Sequence, residues 1–155
     1  MINDIAREII EKCTRQNLTI ACAESLTGGM LSSALVSVPG ASSVFCQGIV
    51  SYSNDAKRRL LNVSEQTLDR YGAVSEQTAR EMVCGLVSSN ADILVSTTGL
   101  AGPTGDGVCD LVGLTFIGIS FNGKIDAHRF IFSGDREQIR KSAVLTALTL
   151  INQLI

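Results

Sequence analysis

The chain has 155 residues, the size of one ordinary domain, and 45% of them are hydrophobic, enough to build a real core. A formal net charge of -2 without any lysine or arginine run argues against nucleic acid or an anionic membrane as the main partner. The N-terminal Met1-Ile2-Asn3-Asp4-Ile5 carries acid where a signal peptide wants base, and no apolar run approaches the roughly 18 residues of a membrane span, so the expected setting is cytoplasmic.

Ile2, Ile5, Ala6, Ile9 and Cys13 mark one face of an amphipathic first helix. Leu18-Thr19-Ile20-Ala21-Cys22-Ala23 reads as a buried strand that runs into Glu24-Ser25-Leu26-Thr27-Gly28-Gly29. After that stretch Leu31, Ala34, Leu35 and Val38 recur at helical spacing until Pro39-Gly40, so Ser25 sits where a strand ends and a helix begins. Ligands of open α/β sheets bind at such strand ends, where the first N–H groups of the helix favour an anion. Thr27, Gly28 and Gly29 are therefore candidates for holding a phosphate or a developing oxyanion, the plain alternative being that Thr27 caps the helix and the glycines form a turn.

The second strand spans Val44 to Tyr52, and Ser53 or Asn54 caps a short helix that carries Lys57 in its first turn. A cation there opposes the helix dipole by about 0.3–1 kcal/mol. Either the lysine reaches solvent, or it is held near Ser25 with a depressed pKa. Asn62-Val63-Ser64 starts a further short helix, and Ser75 caps a longer one whose core face is Val74, Ala79, Met82, Val83, Leu86 and Val87. Ile93 to Thr98 is a third central strand leading into a loop with Gly99, Gly102, Gly105 and Gly107, which implies backbone approaching a ligand. Val112–Phe121 and Ile125–Phe132 flank Asn122-Gly123, a strong hairpin signal that makes the sheet mixed. Asp135 caps the last helix, with Ile139, Ala143, Ala147, Ile151 and Leu154 inward. Arg136 and Arg140 lie one turn apart, a solvated pair or a phosphate clamp.

Five cysteines, never in Cys-x-x-Cys, and a single histidine, His128, make a dedicated metal site unexpected. Cys22, Cys46 and Cys84 read as small core residues, Cys109 as an inert loop thiol, and His128 as a surface imidazole near a sheet edge. There is no Gly-x-Gly-x-x-Gly, Walker loop or Gly-x-Ser-x-Gly elbow, and no cofactor is expected. A nucleophilic Ser25 would need a base other than histidine, and Tyr52 and Lys57 are the candidates at the right address.

Five blocks, Ala23-Glu24-Ser25-Leu26-Thr27-Gly28-Gly29, Gly48 to Lys57, Gly72-Ala73-Val74-Ser75-Glu76, Thr98-Gly99-Leu100-Ala101-Gly102-Pro103 and Phe132-Ser133-Gly134-Asp135-Arg136, together resemble the C-terminal domain of the CinA (competence/damage-inducible protein) family. The resemblance covers essentially the whole chain, 1–155, and implies one three-layer α/β/α domain with a mixed, mostly parallel central sheet. It also implies nicotinamide mononucleotide deamidase activity by a Ser-Lys(-Tyr) mechanism. On that resemblance Ser25 is the nucleophile, Lys57 its base and Tyr52 a partner in proton transfer. Thr27, Gly28 and Thr98 then hold substrate or oxyanion, with Gly29, Gly99, Gly102, Arg136 and Arg140 as further binding candidates. The expected partner is a small-molecule nucleotide, and a homo-oligomer is left open. Many members carry a longer loop with Lys-Pro where this chain has Asp106-Gly107-Val108-Cys109-Asp110-Leu111, and, without the further N-terminal domain that the family often has, the sequence looks like a stand-alone form. A non-catalytic nucleotide-binding or interaction module with the same pocket is the alternative reading.

Overall fold

A computed structural model describes all residues, 1–155. In chain order the elements are α1 (Ile2–Gln16), β1 (Ile20–Glu24), α2 (Met30–Val36), β2 (Phe45–Val50), α3 (Asn54–Leu61), α4 (Glu65–Tyr71) and α5 (Glu76–Cys84). They continue with β3 (Ile93–Gly99), β4 (Leu114–Phe121), β5 (Lys124–Ile131) and α6 (Arg136–Leu154). The strands form one sheet in the order β2-β1-β3-β4-β5. β1 pairs in parallel with β2 and β3, whereas β4 runs antiparallel to both β3 and β5, so four strands share a direction and one opposes them.

The two faces of the sheet bury different partners. Ile20 and Cys22 of β1, with Ile93 and Val95 of β3, pack against α1, α2 and α6 through Ile9, Leu31, Leu35, Val144 and Leu148. Ala21 and Ala23, with Leu94, face the opposite layer and meet Leu61, Leu68, Met82 and Val83 of α3, α4 and α5. The central strand β1 is buried on both faces, and its apolar run reflects that. Small residues at Ala21 and Ala23 let the second helical layer sit close to the strand that ends in Ser25.

Local signals set most helix starts. Ser53, Ser64 and Ser75 accept hydrogen bonds from Ala56 N, Thr67 N and Thr78 N, and Asp135 forms a capping box with Gln138. Asn122 and Gly123 both have positive φ, 52° and 76°, the requirement of a two-residue hairpin turn. Several expectations are corrected. α2 ends at Val36, three residues before Pro39. Cys46 and Cys84 are exposed rather than core, because β2 is an edge strand and Cys84 lies on the solvent side of α5; Cys13 is buried instead. Val87 and Leu154, at 61% and 41% exposure, leave the core because each falls where its helix has ended or is ending. His128 lies on the edge strand β5 but is half-buried, with its ring 6.5 Å from that of Phe130. Burial pushes the Cys13 thiol up to about 11 and the Cys22 thiol well above its ordinary value, which keeps both unreactive.

Candidate active site

Side chains alternate across β1, so Ser25, the residue after its last, turns toward the α3–α5 layer at the carboxyl end of the strand. Ser25 N donates to Thr97 O at 2.9 Å, which continues the β1–β3 ladder one step and fixes the serine backbone. Glu24, on the other face and with no exposed surface, receives Leu31 N at 2.9 Å, Ser32 N at 3.0 Å and Ser32 Oγ at 2.6 Å. No cation pairs with this carboxylate; the first free N–H groups of α2 take that role. Glu24 thus anchors α2 to the strand that presents Ser25, a part that the sequence reading did not assign to it.

Lys57 lies on α3 with 1% of its surface exposed. Its Nζ is 2.9 Å from Ser25 Oγ, 2.9 Å from Ser51 O and 3.3 Å from Tyr52 O. No carboxylate is within ion-pairing distance of it. Burial lowers its pKa from 10.5 to about 8, because desolvation disfavours the ammonium. The start of α3 works in the same direction. In the neutral form two N–H groups satisfy the two carbonyls, and the lone pair is left for the Ser25 hydroxyl.

Ser25 and Lys57 open onto a cavity of about 460 Å³ at the carboxyl ends of β1 and β3. Its walls include Ser53 and Asn54 from the start of α3, Gly72–Val74 before α5, Thr98 and Gly99 from β3, and the loop Leu100–Gly102. Thr98 Oγ1 donates to Ala73 O at 2.6 Å and so ties β3 to the segment before α5. At the rim Arg136 spans two walls, donating to Gly102 O at 2.7 Å and to Tyr52 Oη at 2.9 Å. Asp106, in the loop after Gly105, also lines the cavity. Its Oδ1 accepts from Val108 N at 2.9 Å and Cys109 N at 2.6 Å.

The structure brings Ser25, Lys57, Tyr52, Thr98, Gly99, Gly102 and Arg136 to this cavity. The Tyr52 side chain is 57% exposed and its phenol meets Arg136, so its contact with Lys57 is through the backbone carbonyl. Thr27, Gly28, Gly29 and Arg140 lie outside the cavity wall. Thr27 is fully buried, with its hydroxyl 2.7 Å from that of Thr97, and does not cap α2, whose N-cap is Gly29. Arg140 donates to Leu26 O at 2.9 Å and Thr27 O at 3.0 Å. A Cβ on Gly28, whose φ is +59°, would lie 3.3 Å from the Arg140 guanidinium, so Arg140 rather than a ligand covers that glycine. No three His, Cys, Asp or Glu side chains gather where they could hold a metal ion, and no helix is long and apolar enough to cross a membrane.

The family profile described as CinA C-terminal domain matches residues 2–155. This chain belongs to the CinA C-terminal domain family. It is 49% identical over 150 residues to a protein of Alkaliphilus metalliredigens provisionally named competence-damage inducible protein, covering 96% of this chain and 36% of that relative. A similarly named protein of Clostridium tetani is 51% identical over 133 residues, covering 85% of this chain and 32% of the relative. The chain thus spans about a third of the length of these relatives. Among solved CinA-superfamily structures, an Escherichia coli protein superposes with a TM-score of 0.96 at 32% identity, covering 100% of this chain and 91% of that one. A competence/damage-inducible protein of Agrobacterium tumefaciens gives 0.94 at 40% identity, with 99% and 94% coverage. The mixed five-stranded sheet flanked by helices is therefore the CinA fold.

Proposed function

We propose that this CinA-family domain hydrolyses the carboxamide of nicotinamide mononucleotide to nicotinate mononucleotide and ammonia, serving pyridine nucleotide recycling in the cytoplasm. The observation that carries the reading is the buried Lys57 amine 2.9 Å from Ser25 Oγ. A module that only bound a nucleotide would have no use for a nucleophile set against a desolvated base.

Neutral Lys57 accepts the Ser25 proton as Oγ attacks the carboxamide carbon. The resulting ammonium passes that proton to the amide nitrogen, the C–N bond breaks, and ammonia leaves a nicotinoyl ester on Ser25. Water then attacks the ester while Lys57 takes its proton, and the return of that proton to Ser25 Oγ releases nicotinate mononucleotide. The cavity volume falls within the range of about 300–1,000 Å³ usual for small-molecule sites. Arg136 at its rim supplies a cation for the phosphate, and a guanidinium can meet a phosphate with two parallel hydrogen bonds.

Ammonia release from nicotinamide mononucleotide by the purified protein, coupled to identification of nicotinate mononucleotide, tests the reading. Nicotinamide riboside, which lacks the phosphate, is expected to be a much poorer substrate. An intact mononucleotide after prolonged incubation would end the proposal.

A further inference from the structure

Ser51 has no exposed surface, and its Oγ is the one buried side-chain polar atom in the chain without a hydrogen-bonding protein partner. Buried hydroxyls are ordinarily satisfied, so an orphan needs a reason. Its position supplies one. The β1–β2 ladder ends with Glu24 beside Val50, and Ser51 N donates to Glu24 O at 2.8 Å, so Ser25 and Ser51 leave adjacent strands side by side. Ile49 packs into the α3–α5 layer while Gly48 and Val50 lie on the α2 side; alternation therefore turns Ser51 toward the layer that carries Lys57. The carbonyl of Ser51 is already 2.9 Å from Lys57 Nζ.

The proposed reaction creates a demand that the resting site does not have. In the resting site Lys57 Nζ has three partners, donating to the carbonyls of Ser51 and Tyr52 and to Ser25 Oγ; when the amine is neutral, the Ser25 contact reverses and its lone pair takes the hydroxyl proton. Once Lys57 has taken a proton it has three N–H groups to satisfy, and Ser25 Oγ, now bonded to the substrate carbon, is a poorer acceptor. Ser51 Oγ has both lone pairs unused, and rotation about its Cα–Cβ bond moves it without disturbing the backbone.

We infer, on the deamidase reading above, that Ser51 is a positioning residue whose hydroxyl is the reserve acceptor for the Lys57 ammonium in the tetrahedral intermediates. The proton stays on Lys57 until the leaving nitrogen, or later Ser25 Oγ, collects it.

The test compares Ser51→Ala and Ser51→Thr with the wild type in thermal unfolding and in ammonia release from nicotinamide mononucleotide. Ser51→Ala is expected to unfold at or above the wild-type temperature, because it removes an unsatisfied group. Its kcat is expected to fall about tenfold with KM unchanged, the worth of one hydrogen bond to a charged group. The acid limb of kcat stays where it was, since the resting amine does not touch Ser51 Oγ, and Ser51→Thr keeps kcat within about twofold. A residue that merely packed would lose stability together with rate. Wild-type kcat in Ser51→Ala overturns the inference and leaves the deamidase reading standing. If the wild type releases no ammonia, the deamidase reading fails and Ser51 is judged on acetylation of Ser25 by p-nitrophenyl acetate. Slower acetylation in Ser51→Ala, restored in Ser51→Thr, supports the inference; equal rates, or an inert Ser25 in the wild type, overturn it.

Discussion

Ser25 and Lys57 are 32 residues apart in the chain, yet Lys57 Nζ lies 2.9 Å from Ser25 Oγ in a buried setting. β1 and β2 are adjacent and parallel, so the residues that follow their carboxyl ends emerge together, and α3 starts directly after β2. The chain direction then folds the first turn of α3 back over the end of β1. The two backbone carbonyls that receive Lys57 fix the amine without supplying a negative charge, so desolvation goes uncompensated.

That arrangement predicts the pH dependence of turnover. Lys57 can accept a proton only when neutral, and with a pKa lowered to about 8 the rate is expected to rise with pH through about 8 and to fall on the acid side. Ser25→Ala is expected to abolish acylation. Lys57→Met, similar in shape but unable to accept a proton, should lower kcat by about 10²–10⁴-fold, the usual worth of a general base. Near-normal turnover in Lys57→Met with an unchanged profile would make Lys57 a bystander.

The same shift predicts a stability signature. The folded protein releases the Lys57 proton near pH 8 and the unfolded chain only near 10.5, so between these values the unfolded state binds more protons. Unfolding free energy contributed by this group therefore rises with pH across that window, and its penalty is fully present below about 8. A shift from 10.5 to about 8 corresponds to about 3 kcal/mol. Denaturant titrations of wild type and Lys57→Met at pH 7 and pH 10.5 measure it, because the other titrating groups cancel in the difference. The wild type is expected to gain relative to the variant as pH rises; a pH-independent difference would mean that the pKa is not depressed.

Much of this was legible in the chain because it is local. The Ser75 and Asp135 caps, the Asn122-Gly123 turn and the strand-to-helix junction at Ser25 depend on neighbours within a few residues. What was not legible depends on which elements meet. Cys46 is exposed because β2 is an edge strand, and strand order is not written in β2 itself. Glu24 has no role legible in its own neighbourhood, because the partners of its carboxylate are N–H groups that α2 places over it. Arg136 and Arg140, one turn apart, diverge because α6 packs against Leu26 and Ala101 between them, so that one reaches Gly102 at the cavity rim and the other the Leu26 and Thr27 carbonyls.

That divergence separates two arginines that the sequence treats alike. Arg136→Ala is expected to raise KM for nicotinamide mononucleotide at least about tenfold, with little change for nicotinamide riboside and little change in stability. Arg140→Ala leaves two carbonyls without their donor and is expected to cost about 1–3 kcal/mol in unfolding free energy. It should leave the preference for the phosphorylated substrate intact. Thermal unfolding and KM for both substrates in both variants decide it, and a loss of phosphate preference in Arg140→Ala would restore it as the phosphate clamp.

Glu24 offers the sharpest separation of support from chemistry. Its carboxylate accepts three hydrogen bonds and is fully buried, so Glu24→Ala removes the partner of two helix-start N–H groups and of the Ser32 hydroxyl and opens a void beside Leu31. Hydrogen bonds to a charged group are worth about 1.5–3 kcal/mol each, and breaking a buried network ranks among the larger single-site effects, so a loss of about 3 kcal/mol or more is expected. Glu24→Gln keeps one acceptor oxygen but turns an NH₂ group toward donors, and should fall between Glu24→Ala and wild type. Ser32→Ala removes a single contact to that charge, with about 1.5 kcal/mol expected. The order of stability in denaturant is then wild type, Ser32→Ala, Glu24→Gln, Glu24→Ala. Because Glu24 immediately precedes Ser25 and ties β1 to α2, the same order should appear in kcat while KM stays within about threefold, since small displacements of a nucleophile cost rate steeply. A Glu24→Gln variant as stable and as active as the wild type would show that the charge is dispensable and that α2 is held by its apolar face alone.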